Sequence, residues 1–186
     1  MTAWRPACSL ETLRQRGRFL ALIREFFAAR GVLEVQTAVL GAHGVTDVAI
    51  DNVATETGFL QSSPEYQMKR LLAAGAPSIY QICPAFRAGE AGRWHNPEFT
   101  MLEWYRVGYD APALIDEVGE LMDVVLGSGD CVTVTVSDLL ARDFAIDWRA
   151  SEEVLGRAAA KAGLVGDPLS LIHLSEPTRR HCVSDA

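Results

Sequence analysis

The chain has 186 residues, a length that suits one domain burying roughly 70% of its unfolded surface. Its net charge of −7 argues against broad electrostatic binding of nucleic acid, which needs a basic face, so any anion site must be local. There is no signal peptide, no apolar run near the ~20 residues of a membrane span, and no cysteine spacing that fits a disulfide framework or zinc site, so a cytoplasmic protein without membrane association is expected.

Residues 1–8 lack periodicity and read as a loose N-terminal segment. Ser9 is placed to cap a helix with Glu11 in its first turn, and Leu10, Leu13, Leu20, Ile23 and Phe27 recur at helical spacing until Arg30 and Gly31 close it. Residues 32–40 read as an extended strand, and this helix and strand are either plain core or a dimer seam. A glycine-bearing loop follows over 41–46, then a strand over 48–55 interrupted by Asp51 and Asn52, then a short strand over 59–62. Ser63 as N-cap, Pro64 at the first helical position and Glu65 in the first turn signal a helix with Met68, Leu71 and Leu72 on its apolar face. By itself a first-turn Glu is only a dipole partner. Residues 78–83 form a buried strand that delivers Phe86 and Arg87 to a polar loop. Asp110 caps a helix striped by Leu114, Val118, Leu121 and Val125 that ends near Gly127. Residues 131–136 are a β-branched strand, and Ser137 and Ser151 cap two further helices. The run LIHLSEPTRR resembles a translated sequencing-adapter read-through. Residues 168–186 are therefore expected to be a non-native or disordered tail in which His173, Arg179, Arg180 and His181 carry no function.

The chemistry concentrates in FRAGEAGRWHNPEFTMLEWY, residues 86–105. Its first half is too polar for core, and its second half, continuing to Val107, reads as a strand. Alternation puts Phe99, Met101, Glu103 and Tyr105 on one face and Glu98, Thr100, Leu102, Trp104 and Arg106 on the other. A carboxylate beside two aromatics and a Met is expensive to bury unless a cation neutralises it. Glu103 is then either a salt-bridged sheet carboxylate or, with Tyr105, a grip for an ammonium-bearing ligand, with Phe99 as an aromatic platform. The planar fork of Arg87 suits a phosphate, and Arg93, His95 and Asn96 either close over the same ligand or form an exposed hairpin.

This stretch resembles motif 2 of class II aminoacyl-tRNA synthetases, and HNPEFTMLEWY is similar to their lysyl branch. RGVLEVQTAVL over 30–40 resembles motif 1, the dimer element, and SSPEYQMKRLL over 62–72 resembles the helix lining the amino-acid pocket. The resemblance implies an α+β fold, the N-terminal part of a class II catalytic domain with an antiparallel sheet and flanking helices, spanning residues 9–167 and forming a homodimer. It implies ATP and Mg²⁺ as cofactors and Arg87 as the catalytic residue, holding the α-phosphate and the amino-acid carboxylate. Glu90, His95 and Asn96 would contact the nucleotide and Phe99 would stack on adenine, while Ser63, Glu65, Glu103 and Tyr105 would line the amino-acid pocket; no protein metal ligand is implied. Within the branch, the short lead-in before the first helix, the LEWYR ending and the acidic charge resemble the ligases that attach lysine or β-lysine to a lysine of elongation factor P, without tRNA. The alternatives are a truncated lysyl-tRNA synthetase catalytic domain and a non-catalytic, synthetase-like binding module. Three departures stand against the pattern: Ala38 replaces the proline of motif 1, Gly89 stands where a Glu usually follows the arginine, with Glu90 one position later, and motif 3 is missing. The chain is accordingly expected to be an incomplete fragment that does not catalyse adenylation alone.

Overall fold

The computed structural model describes residues 6–127, 131–147 and 149–161. The chain divides into two compact units, Met1–Leu126 and Gly127–Ala186. The first carries α1 (Leu10–Ala29), β1 (Leu33–Glu34), β2 (Leu40–Gly41), β3 (Val53–Thr55), β4 (Gly58–Leu60), α2 (Glu65–Ala73), β5 (Ile79–Phe86), β6 (Glu98–Tyr105) and α3 (Ala111–Leu126). The second carries α4 (Val136–Phe144) and α5 (Glu152–Lys161).

One sheet has the order β1-β5-β6 and the other β2-β4-β3. β5 and β6 pair antiparallel along their full length, from Ile79 opposite Tyr105 to Phe86 opposite Glu98, whereas β1 runs parallel to β5. This sheet is therefore mixed rather than purely antiparallel. Its Leu102–Trp104 face is covered by α1 and α3 around a cluster of Ile23, Phe26, Phe27, Val32, Tyr80 and Leu121. Phe27, fully buried, stacks on Tyr80 at 4.4 Å between ring centroids and tilts against Trp104 at 5.6 Å. Removing one such ring from water contributes about 2–3 kcal/mol. Beneath the same helix pair, the Arg106 guanidinium lies 3.1 Å from the Glu117 carboxylate, and Trp104 Nε1 donates to Glu117 at 3.1 Å. Opposite residues of an antiparallel pair share a face, so the other face of β5 and β6 presents Gln81, Cys83, Glu103 and Tyr105.

Gln61 joins the two sheets. Its amide donates to Val39, its carbonyl accepts from the Phe86 amide, and its side-chain Nε2 donates to the Pro84 carbonyl at 2.8 Å. The loop between β2 and β3 is folded onto itself by Asn52, which accepts from the Val45 amide and donates to the Val45 carbonyl, each at 2.9 Å.

Several boundaries differ from expectation. Ser9 does cap α1, accepting from the Thr12 amide at 3.1 Å, but only Ile23, Phe26 and Phe27 of the helix are buried, and Leu10 and Leu13 stay exposed. The expected strand over 32–40 breaks into β1 and β2. Between them the Thr37 amide donates to the Gln81 side chain instead of a strand backbone, at 3.0 Å. Only residues 53–55 of the expected strand over 48–55 pair, and the short strand expected over 59–62 is found at 58–60. α2 starts at Glu65 with Pro64 at the cap position, one residue later than expected, while the Ser63 hydroxyl still accepts from the Glu65 amide at 3.1 Å. Residues 131–135 form no strand; Thr135, not Ser137, caps α4 by accepting from the Asp138 amide at 3.1 Å. α3 does begin after Asp110, whose carboxylate accepts from the Ala113 amide, and α5 does begin after Ser151. The expected tail over 168–186 lies outside the described residues.

Candidate functional site

Glu103 is the centre of a hydrogen-bonded group built by β6 and the start of α2. Ser63 Oγ donates to Glu103 Oε2 at 2.5 Å and Tyr105 Oη donates to Oε1 at 2.6 Å. Ser63 in turn accepts from the Glu65 amide at 3.1 Å, so one hydroxyl ties the start of α2 to β6. Burial, and then the hydrogen bond to Glu103, push the Tyr105 phenol far above its ordinary value, so it stays a donor. Both carboxylate oxygens are thus aimed by hydroxyls, and the lone pairs left over remain free for a cation. The Glu65 carboxylate lies along α2 and contacts the Lys69 ammonium, an ion pair with both side chains partly exposed.

Across from Glu103 on β5, Gln81 is 1% exposed. Its Oε1 is held by Thr37, and its Nε2 has no partner among the described residues. Next on the same face is Cys83, a buried free thiol that burial pushes up, which makes it a poor nucleophile. A shallow open cleft lies beside α2, lined by His43, Val45, Gln61, Ser63, Glu65 and Tyr66 among others. Glu103 and Tyr105 are not in its lining, so the cleft touches the hydrogen-bonded group only through Ser63 and Glu65.

Arg87 stands at the mouth of the loop between β5 and β6. Its backbone amide donates to the Pro97 carbonyl at 2.9 Å, closing the base of the loop. The guanidinium carbon sits 5.1 Å from the centroid of the Phe99 ring, and one terminal nitrogen lies 3.7 Å from Glu90. Arg87 Nε is buried and has no hydrogen-bond partner among the described residues. An unpaired buried donor on a cation is costly. Gly89 adopts φ +76°, a left-handed conformation that turns the chain so that Glu90 comes back toward Arg87. The adjoining Ala88 amide donates to the Asp51 carbonyl at 2.9 Å, linking this loop to the one between β2 and β3.

The nine expected site residues thus fall into two groups with a remainder. Ser63, Glu65, Glu103 and Tyr105 form one connected group; Arg87, Glu90 and Phe99 form a second. His95 and Asn96 are exposed, and their side chains make no hydrogen bond or ion pair among the described residues. Sequence reasoning missed Gln81 and Lys69. Both carried a signal: Gln81 is the one polar residue inside the apolar run IYQIC, and Lys69 stands one helical turn after Glu65.

Comparison with known proteins gives the family. The profile of the family described as tRNA synthetases class II (D, K and N) matches residues 2–137. The chain belongs to this family. Among relatives of this class II chain, the "Elongation factor P--(R)-beta-lysine ligase" of Vibrio atlanticus (strain LGP32) is 44% identical over 180 residues, which cover 90% of the chain and 56% of the relative. The protein of the same description from Vibrio vulnificus (strain YJ016) is 49% identical over 142 residues, 71% of the chain and 44% of the relative. The class II chain therefore spans about half the length of the curated relatives it matches. Among solved structures, asparaginyl-tRNA synthetase from Pyrococcus horikoshii complexed with asparaginyl-adenylate matches with TM-score 0.55 at 20% identity, covering 62% of this chain and 27% of that one. That likeness supports the α+β class II fold and carries no residue roles. No helix among the described residues is long and apolar enough to cross a membrane.

Proposed function

We propose that this chain is the nucleotide- and amino-acid-binding part of a cytoplasmic, ATP-dependent ligase that activates lysine or β-lysine as an aminoacyl-adenylate and transfers it to a lysine of elongation factor P. The observation that carries the reading is the Glu103 carboxylate, oriented by Ser63 and Tyr105 with Glu65 alongside, a pair of acidic groups suited to an ammonium-bearing amino acid. The printed descriptions of the relatives support the choice of amino acid and acceptor.

In this reading the Arg87 guanidinium binds the α-phosphate of ATP and the amino-acid carboxylate, and Phe99 stacks on adenine. Glu90, His95 and Asn96 close on the nucleotide from the loop. A carboxylate oxygen of the amino acid attacks the α-phosphorus and pyrophosphate leaves. The acceptor amine then attacks the adenylate carbonyl and AMP leaves. The side chains supply position and charge rather than a nucleophile. Mg²⁺ would come with the ATP phosphates and supply charge stabilisation there. Exposed Leu10, Leu13, Phe19 and Leu22 on α1 support homodimerisation through that helix.

The test is ATP–pyrophosphate exchange by the protein extended to the length of its relatives. Exchange is expected with lysine or β-lysine, falling by roughly a hundredfold or more on Glu103→Ala or Arg87→Ala. Efficient charging of tRNA would overturn the acceptor and favour a lysyl-tRNA synthetase. Absence of exchange with every amino acid would leave a binding module.

A further inference from the structure

Resting on the proposed amino-acid site, one cation in it has a role that the reaction does not give it. Lys69 reaches back one turn of α2 and places its Nζ on Glu65 Oε1. It is one of only two lysines among the 17 Lys and Arg of the chain, the other being Lys161. The carboxylates of Glu11, Glu34, Glu90, Glu117 and Glu120 face arginines instead. The difference is physical. A guanidinium can grip two carboxylate oxygens in a fixed fork, whereas an ammonium is a compact charge that binds at one point and is readily exchanged for another ammonium. The pair is also open to solvent, with side chains 57% and 43% exposed, so water can replace each partner as the other leaves. Glu65 raises the Lys69 ammonium above its ordinary value, first by the hydrogen bond and then by its charge, and the Glu103 charge acts in the same direction.

We infer that Lys69 is an internal stand-in for one ammonium of the bound amino acid, occupying Glu65 until the ligand arrives and then being displaced from it. Glu65 thereby stays neutralised both before and after a ligand with two ammonium groups binds. A diammonium amino acid exchanges like for like at Glu65 while its other ammonium takes Glu103, leaving no carboxylate bare. An analogue lacking the ammonium for Glu65 leaves Lys69 in place and gains nothing there.

The presence of only two lysines makes the test direct. The 186-residue chain carrying ¹³C at the lysine Cε gives two lysine signals, and lysine, norleucine and 6-aminohexanoate are titrated in turn. The Lys69 signal is expected to move to saturation with lysine while the Lys161 signal stays. By calorimetry, Lys69→Met tightens lysine by roughly two- to threefold, the scale of one exposed helical ion pair removed as competitor, and tightens only one of the two mono-ammonium analogues. Lys69→Arg, which grips Glu65 at two points, weakens lysine. Lysine binding with the Lys69 signal unmoved, weaker lysine binding by Lys69→Met, or equal tightening of both analogues overturns the inference and leaves the site reading intact. Absence of lysine binding to both the wild type and Lys69→Met overturns the site reading and this inference with it.

Discussion

Replacing Glu117 by Leu tests the physical account of how β6 is held. The Glu117 and Arg106 side chains are only 4% and 9% exposed, and their closest atoms are 3.1 Å apart. Neither Arg106 Nε nor Glu117 Oε1 has an aligned hydrogen bond, so at this contact the pair acts through charge. Glu117 also accepts from Trp104 Nε1 at 3.1 Å. Removing one member of a buried pair typically costs about 3–5 kcal/mol, because the other charge is left bare. Here Arg106 keeps the Tyr109 hydroxyl at 2.7 Å and the Tyr109 ring face at 4.4 Å, which continue to stabilise the cation. The expected loss for Glu117→Leu is therefore about 2–4 kcal/mol, read as a lower urea midpoint in far-ultraviolet circular dichroism. The double variant Arg106→Met/Glu117→Leu should recover most of it, since two apolar groups replace two charges. A single-variant loss below about 1 kcal/mol, or a double variant as unstable as the sum of the singles, would refute the reasoning.

Two further outcomes follow from local geometry. Tyr80 donates to Glu34 at 2.9 Å, and burial, then that bond, push its phenol up to about 12. The unfolded value is about 10, so this contribution is complete below pH 10 and is lost as pH rises towards 12. Tyr80→Phe should flatten the alkaline fall in stability without abolishing it, because Tyr105 is raised as well; an unchanged slope would count against the assignment. A Cβ on Gly58 would stand 2.3 Å from the Gly41 carbonyl oxygen, a backbone atom that cannot move aside. Gly58→Ala should cost about 1–3 kcal/mol and speed amide exchange in β3 and β4, whereas Gly17→Ala, with open space in α1, should be neutral or slightly stabilising.

What the sequence disclosed was governed by how local each cause is. The alternation along β6 was legible, because period two is a property of the strand itself, and it divided Glu103 and Tyr105 from Leu102 and Trp104 correctly. The caps at Ser9 and Asp110 were legible for the same reason. The break at Thr37 was not, because its cause is Gln81, a side chain on another strand. The alternating run CVTVTV promised a strand, but β-branched residues need a pairing partner, and none pairs with residues 131–135 among the described residues. Nothing local marks Glu117 as interior, and only the tertiary arrival of Arg106 and Trp104 makes it so. At the candidate site the resemblance named the residues and the two sets they form, but not the contact pattern that ties each set together. It depends on which hydroxyls reach Glu103 and on how Gly89 turns the chain.

Ser63 gives the site a fixed gauge. A single oxygen receives the Glu65 amide and donates to Glu103, so the spacing between the two acidic residues follows from one side chain and not from how the helix and sheet happen to settle. A threonine would preserve the gauge and an alanine would release it, leaving each carboxylate to find its own position. In the proposed amino-acid pocket, discrimination by ligand length would then reside in the smallest polar residue, one that itself carries no charge.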